Sequence, residues 1–219
     1  MSRSLAEVDF RAPGFKICSM NYEPKGWHSR GYLPHFDGVE ASQFITIRLA
    51  DSLPQTVLAR WQQELEKEQI ENADVVLRKR IQRYLDQGYG SGHLKNPNIA
   101  SLIQNALLYF DSERYKLSAW VVMPNHVHFL ATPFAGIAIS QIMQSLKNYT
   151  ARMSNRLLKC KGAFWQQDYF DRYIRDAKHF ENTIAYIENN PVKARLCKTP
   201  DDWKFSSACW RVKTIEEES

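Results

Sequence analysis

The sequence is poor in cysteine, and that scarcity excludes one class of metal site. Its 219 residues contain four cysteines, at positions 18, 160, 197 and 209. No two of them form a Cys-X-X-Cys pair or have the spacing of a zinc knuckle, so they do not predict structural zinc. In a reducing compartment four such cysteines are expected to be free thiols.

Long apolar runs are also missing. No stretch approaches the roughly 20 apolar residues that cross a bilayer. The first residues lack an apolar core and carry Glu7 and Asp9, so they are not predicted to be a secretory signal. We therefore expect a cytoplasmic protein without a membrane partner. Apolar residues form 44% of the chain, enough for a packed core in one domain or two small ones.

Acidic residues are absent from the long window between Arg114 and Gln167, although the net charge of the whole chain is only +5. Such a window favours a polyanion, because carboxylates would repel phosphate. A buried, sheet-rich segment would explain the lack of charge over 117–146. It would not explain the cations that follow, which are Lys147, Arg152, Arg156, Lys159 and Lys161.

Hydrophobic periodicity predicts an alternation of strands and helices. The predicted elements are a strand over 43–50, one or two helices over 54–85, a helix over 98–110, paired strands over 115–123 and 126–132, a helix from Gly136, a short strand over 169–175 and a last helix from Asp176 to about Asn190. This order is compatible with an α+β, ferredoxin-like antiparallel sheet with helices on one face. We place this domain over 43–196, with a helical insertion over about 54–112. An irregular segment over 1–42 precedes it, and an irregular tail over 197–219 follows it.

The sharpest local motif is His126-Val127-His128 at the start of a predicted strand. Residues i and i+2 of a strand point to the same side, so the two imidazoles lie together and form half of a metal site. The alternative is a pair of histidines that are merely packed. The apolar strand and the adjacent basic region favour the metal site.

The last predicted helix supplies candidates for the rest of the site. Its apolar stripe contains Phe180, Ile184 and Ile187, and a second, polar stripe contains Tyr186 and Asn190 one turn apart. An amide oxygen suits a hard cation, and a phenol beside it suits nucleophilic attack. The alternative is an amphipathic helix whose wet side happens to carry a tyrosine and an asparagine.

Three motifs occur in a recognisable order: PNHVHFL at 124–130, FWQQDYFDRYIR at 164–175 and YIENNPVK at 186–193. Together they resemble the HUH single-tyrosine transposases, and most closely the REP-associated tyrosine transposase branch. The resemblance extends from about Gln43 to about Trp210. It implies that the predicted sheet is an HUH endonuclease fold.

The resemblance implies a role for each matching residue. It implies that His126, His128 and Asn190 hold Mg²⁺ or Mn²⁺, and that Tyr186 is the nucleophile. A phenol has a pKa of about 10, so it needs help to attack at neutral pH. Metal-assisted attack on a phosphate of single-stranded DNA would give a 5′-phosphotyrosine and a free 3′ hydroxyl. The expected partner is single-stranded DNA or a REP-like hairpin, bound by a monomer or a homodimer. Such a partner implies a nucleoid-associated protein in the cytoplasm.

Several other residues are candidates for contact with DNA phosphates, although a solvated charged face is the alternative for each. They are Lys147, Arg152, Arg156, Arg172 and Lys193. Tyr149 is a rival nucleophile, but it lies on an apolar helical stripe, which favours packing. Two competing functions remain: a DNA-hairpin-binding regulator without catalysis, and a metal-dependent nuclease that attacks with water.

Overall fold

The computed structural model describes residues 26–29, 34–37 and 40–217, and only the backbone of 26–29, 34–37 and 215–217. The strands are β1 (Gly26–Ser29), β2 (Pro34–Asp37), β3 (Gln43–Arg48), β4 (Tyr115–Val122), β5 (His126–Pro133) and β6 (Phe170–Tyr173). The helices are α1 (Gln55–Lys67), α2 (Ala73–Asp86), α3 (Pro97–Tyr109), α4 (Ile139–Leu158), α5 (Ala177–Glu188), α6 (Asn190–Lys193) and α7 (Ser207–Glu217). The predicted core elements are confirmed, and 54–85 forms two helices separated by Asn72 in a left-handed conformation.

The main sheet has four antiparallel strands in the order β4-β5-β3-β6. β4 and β5 form the predicted hairpin, closed where the backbone N–H of Met123 donates to the carbonyl of His126 at 2.8 Å. β3 lies between β5 and β6 and places Thr46 opposite His128. The strand that carries His126 and His128, β5, is central, and its neighbours β4 and β3 hold its geometry on both sides.

A β-bulge between Leu117 and Ala119 changes which side chains of β4 face each side of the sheet. Before the bulge, Tyr115 and Leu117 point towards α3 and α4. After it, Trp120 and Val122 do so, while Val121 points to the opposite side. The bulge thus reverses the alternation, so that odd-numbered residues of β4 face α3 and α4 before it and even-numbered residues do so after it.

The side of the sheet that carries α3 and α4, here called the α4 face, holds the larger core. Strand residues such as Ile47, Val127 and Phe129 pack there against Ile103 of α3 and Leu146 of α4, and all five are at most 1% exposed. Trp165 belongs to the same core.

The opposite side, here called the α5 face, is covered by α5 and by Trp203. Its smaller core includes Val121 and Leu130 from the sheet and Ile187 from α5. The α+β, ferredoxin-like class is confirmed, with α3 and α4 on one face as predicted. The prediction placed helices on one face of the sheet only. In the structure α5, which carries Tyr186, packs on the other face.

The prediction of an irregular tail over 197–219 is wrong. The backbone N–H of Val122 donates to the carbonyl of Phe205 at 2.9 Å, and α7 then packs against β4. Arg211 of α7 forms an ion pair with Glu188 at the end of α5. The tail carries no strand-like or helical signal strong enough to reveal this, because its order comes from these long-range contacts.

The prediction that 1–42 is irregular falls mostly outside the described residues. Where the backbone is described, β1 and β2 pair as an antiparallel hairpin. Cys160, Cys197 and Cys209 are free, as predicted, while Cys18 lies outside the described residues. No helix in the described part of the chain has the length and hydropathy of a bilayer span.

Candidate active site

The two histidines of β5 lie side by side on the α5 face. His126 and His128 alternate with Val127 and Phe129, which point into the core of the α4 face. Both imidazoles are 0% exposed, and their ring centres are 4.6 Å apart. The strand period therefore brings the two rings together, as the sequence motif predicts.

Asn125 determines which nitrogen of His126 carries the proton. The Asn125 amide nitrogen donates to the carbonyls of Leu85 at 3.2 Å and Tyr89 at 2.9 Å. Its side-chain oxygen is left to accept from Nδ1 of His126 at 2.7 Å. With the proton on Nδ1, the lone pair of Nε2 is available to a metal.

Thr46 supports His128 in the same way from the neighbouring strand. The Thr46 hydroxyl lies 2.7 Å from Nδ1 of His128 and can accept its proton in a hydrogen bond. Thr46 is itself 8% exposed, so this contact is shielded from water. Both histidines thus have a hydrogen-bonded outer nitrogen, the arrangement that is usual for metal-ligating imidazoles.

The inner nitrogens of both histidines have no partner. Nε2 of His126 and Nε2 of His128 are buried and make no hydrogen bond. Burial lowers the pKa of His126 to about 3. It also lowers the pKa of His128, with further contributions from His126 and Lys193. Two neutral imidazoles with unused lone pairs are the form in which histidine binds metals.

Tyr186 reaches this pair from α5. The helix begins at Asp176, whose side chain accepts from the backbone N–H of His179 at 2.8 Å, as the sequence predicts. The Tyr186 ring centre is 5.6 Å from that of His128, within one chain. Burial raises the pKa of Tyr186, and the nearby Asp86 carboxylate raises it further. The phenol is therefore protonated at neutral pH and needs activation.

Asn190 follows Tyr186 by one turn, at the start of α6. It is 1% exposed, and neither atom of its side-chain amide makes a hydrogen bond. Burial raises the pKa of the Tyr186 phenol, and the Asn190 amide acts in the opposite direction. Buried amides without partners are costly, so a ligand for the Asn190 oxygen is expected.

These groups fit a divalent cation: two imidazole nitrogens and an amide oxygen, all buried and without partners. The described residues contain no cluster of three or more His, Cys, Asp or Glu side chains. Asn190 is therefore essential to the fit, because without an amide ligand only the two histidines would remain.

The DNA-contact candidates separate into two groups. Arg172 and Lys193 line a cleft that also contains Tyr186. Arg152 and Arg156 are exposed on α4, which covers the other side of the sheet. The ammonium of Lys147 donates to the backbone carbonyls of Gln166 at 2.7 Å and Gln167 at 2.6 Å, so it already has structural contacts.

The rival nucleophile Tyr149 packs against the core of the α4 face. The predicted packing role is confirmed, and the sheet separates this tyrosine from the histidine pair.

Sequence reasoning missed three contributors to the site: Asn125, Thr46 and the helix α2. Asn125 precedes the histidine motif directly, so its position was a usable signal. Thr46 lies opposite His128 only through strand register, and α2 reaches the cleft only through tertiary packing. Neither of these leaves a mark in a single sequence.

The chain is similar to known transposases. Residues 94–190 match the family model described as "Transposase IS200 like". A REP-associated tyrosine transposase of Escherichia coli strain K12 is 27% identical over 111 residues, which cover 48% of this chain and 62% of the relative. A Haemophilus influenzae protein, provisionally named as another member of that group, is 27% identical over 103 residues, covering 42% of this chain and 58% of the relative. The chain thus matches less than two thirds of the length of these relatives.

A solved structure supports the fold. The structure of a REP-associated tyrosine transposase bound to a REP hairpin superimposes with a TM-score of 0.51 and 20% identity, over 85% of each chain. At this identity the match establishes the fold alone. The resemblance indicated by the three sequence motifs is confirmed by these matches.

Proposed function

We propose that the protein cleaves and rejoins single-stranded DNA through Tyr186, because residues 94–190 match the model of the IS200-like transposase family. The substrate is a DNA hairpin with single-stranded flanks. The REP hairpin in the structurally similar transposase supports this choice. A basic cleft beside the tyrosine supports it independently.

One observation carries the proposal: the half-buried phenol of Tyr186 lies beside two buried imidazoles whose inner nitrogens have no partner. The Tyr186 and His128 ring centres are 5.6 Å apart, and both Nε2 atoms make no hydrogen bond. A purely structural histidine pair would be expected to satisfy these atoms, because each buried polar group without a partner costs about 1–3 kcal/mol.

The chain's own residues position and exchange the reacting groups. Tyr186 attacks phosphorus in line, so that the phenol O–P bond forms and the P–O3′ bond breaks. The phenol gives up one proton and the leaving 3′ oxygen takes up one, so no net acid or base is consumed. A 3′ hydroxyl from another strand end reverses the step without ATP, because the phosphotyrosine keeps the bond energy.

His126, His128 and Asn190 would hold the cation, which we propose to be Mg²⁺ or Mn²⁺. Bound there, it would supply charge neutralisation at the non-bridging oxygens of the scissile phosphate. Asn125 and Thr46 keep the imidazoles in the ligating tautomer. Lys193, whose ammonium lies 5.6 Å from the Tyr186 ring centre, adds positive charge where the phosphate would bind.

The nucleophile acts in the same chain as its metal ligands. Asp176 caps α5, and the Glu188 carboxylate at the other end of the helix accepts from the Ser207 hydroxyl at 2.6 Å. Ile187 of the same helix packs in the core of the α5 face, so the helix lies on the sheet of its own chain. We therefore propose that a monomer is competent for cleavage.

The test is covalent capture. The protein is incubated with a labelled library of hairpins that carry randomised single-stranded flanks, in Mn²⁺, and is then denatured. We expect a DNA adduct on the peptide containing Tyr186, and we expect Tyr186→Phe to abolish it. Tyr149→Phe is the matched control and keeps the adduct, because Tyr149 lies across the sheet.

Other results would contradict the proposal. Cleavage that survives Tyr186→Phe and releases a free 5′ phosphate indicates a water-using nuclease. Hairpin binding without any adduct, with and without metal, indicates a regulator. An adduct that persists in Tyr186→Phe and disappears in Tyr149→Phe would move the chemistry to the other face.

A further inference from the structure

A cleft of about 640 Å³ leads away from Tyr186 between α2, the β3–β6 edge of the sheet and α5. Among the described residues that line it, the charged side chains are strongly unbalanced. One is acidic, Asp168. The cations are Arg48, Arg78, Lys79, Arg83, Arg172 and Lys193.

Half of these cations come from α2, which lies outside the segment that matches the transposase family. Arg78, Lys79 and Arg83 point into the cleft. Arg80, by contrast, pairs with Glu64 of α1 at 2.7 Å. One side of α2 therefore packs on α1, and the other side presents positive charge to the cleft.

The cations on the two walls are close enough to affect each other. Burial lowers the pKa of Arg172, and the charges of Arg78 and Arg175 lower it further. Arg78 also forms an ion pair with Asp74, which is itself largely exposed. Converging like charges are unfavourable without an anion between them, so the cleft is preorganised for one.

The cleft also offers aromatic surface. The rings of Phe44 and Phe170 line it, both are half-buried, and their centres are 6.2 Å apart. The guanidinium of Arg78 lies 5.8 Å from the Phe170 ring centre. Aromatic rings between cations are how proteins hold unpaired bases and their backbone, whereas a duplex keeps its base faces stacked inside.

The position of α2 is tied to the metal-site histidines. Asn125, which orients His126, donates to the carbonyls of Leu85 and Tyr89 at the end of this helix. The position of α2 and its cations is thus linked by hydrogen bonds to the position of His126.

We propose that α2 forms the outer wall of a groove for single-stranded DNA. In this groove, Lys79 and Arg83 bind phosphates that adjoin the scissile phosphate at Tyr186 on the same strand. This inference rests on the proposed function, because the strand is the flank of the cleaved hairpin. The helical insertion is then a strand-binding element rather than a spacer.

The test compares two double variants of the insertion with equal loss of charge. Lys79→Gln/Arg83→Gln removes two exposed cations from the cleft wall, and Arg60→Gln/Lys67→Gln removes two exposed cations from α1. Binding of oligo-dT of about 20 nucleotides is measured against salt concentration. For the cleft variant we expect roughly ten- to hundredfold weaker binding at low salt, and a salt slope lower by about 1.4, since each phosphate contact on a single strand contributes about 0.7.

The α1 variant is expected to bind like the unmodified protein. Equal losses in both variants, or no loss in the cleft variant, would overturn the inference. So would a loss confined to a blunt duplex of the same length.

Adduct formation separates this inference from the proposed function. On a hairpin whose flank ends a few nucleotides past the cleavage site, the cleft variant should lose less adduct formation than it does on a long flank, because a short flank has fewer phosphates for Lys79 and Arg83 to bind. On a long flank it should require more DNA. If the unmodified protein forms no adduct on either substrate, the proposed function fails. If the unmodified protein forms the adduct and the cleft variant behaves identically on the short and the long flank, the groove inference is wrong and the proposed function stands.

Discussion

The two faces of the central sheet differ in what they bury. On the α4 face, Phe129 and Leu146 belong to a continuous core in which apolar side chains pack against other apolar side chains. On the α5 face the same strand buries His126 and His128, with polar atoms that have no partner. Such atoms lower the stability of the folded state, so packing on the α4 face must contribute the folding free energy that offsets them. The fold thus separates stability and chemistry by strand alternation.

The largest effect should come from truncating the apolar side of β5. Phe129→Ala is expected to lower the free energy of unfolding by about 3–5 kcal/mol, through lost burial and the cavity left behind. Urea denaturation of the metal-free protein measures it. His128→Ala, one position away, should cost clearly less, because it also removes a buried nitrogen without a partner. Equal losses would mean that the two faces contribute alike to stability.

A second, smaller effect should appear in metal binding. Thr46→Val keeps the shape but removes the hydroxyl beside Nδ1 of His128, and should weaken Mn²⁺ binding about ten- to hundredfold. Calorimetric titration measures it. Thr150→Val is the matched control on the α4 face, where that hydroxyl accepts from the Trp165 indole at 2.9 Å. The control should reduce stability and leave the Mn²⁺ affinity unchanged.

Two helix-cap substitutions, one on each face, are expected to reduce the free energy of unfolding by similar amounts, so they allow the faces to be compared. Asp176→Ala on α5 and Asn96→Ala on α3 each remove a side chain that accepts a backbone N–H, and each should cost about 1 kcal/mol. Thermal unfolding measures both. Only Asp176→Ala should also slow adduct formation, since α5 carries Tyr186. The same slowing in both variants would argue that general stability limits the reaction.

The smallest effect is expected on the far side of the sheet. Arg152→Gln/Arg156→Gln on α4 should weaken hairpin binding by about twofold or less, as exposed charges away from the bound phosphate are screened. Arg172→Gln/Lys193→Gln in the cleft should weaken it considerably more. Fluorescence anisotropy with the captured hairpin ranks them. The reverse ranking would place the hairpin across α4.

Local patterns predicted the positions of the candidate site residues better than the positions of the residues around them. Strand alternation predicted the orientation of His126 and His128, and a capping residue with an apolar stripe predicted α5. The pairing of Thr46 with His128 depends on strand register, and the cationic wall depends on how α2 packs, so neither has a local signal. The helix α7 was missed for the same reason, because contacts with β4 and Glu188 order it.

Asn125 has a consequence for how this protein could be modified. Its side chain links the carbonyls of Leu85 and Tyr89 in the insertion to the ring of His126, so the insertion helps to orient that ring. Shortening the insertion, or grafting one from a relative, would release that ring from its ligating orientation. A chimera would need a substitute pair of acceptors at Leu85 and Tyr89 before any cation could be expected to bind.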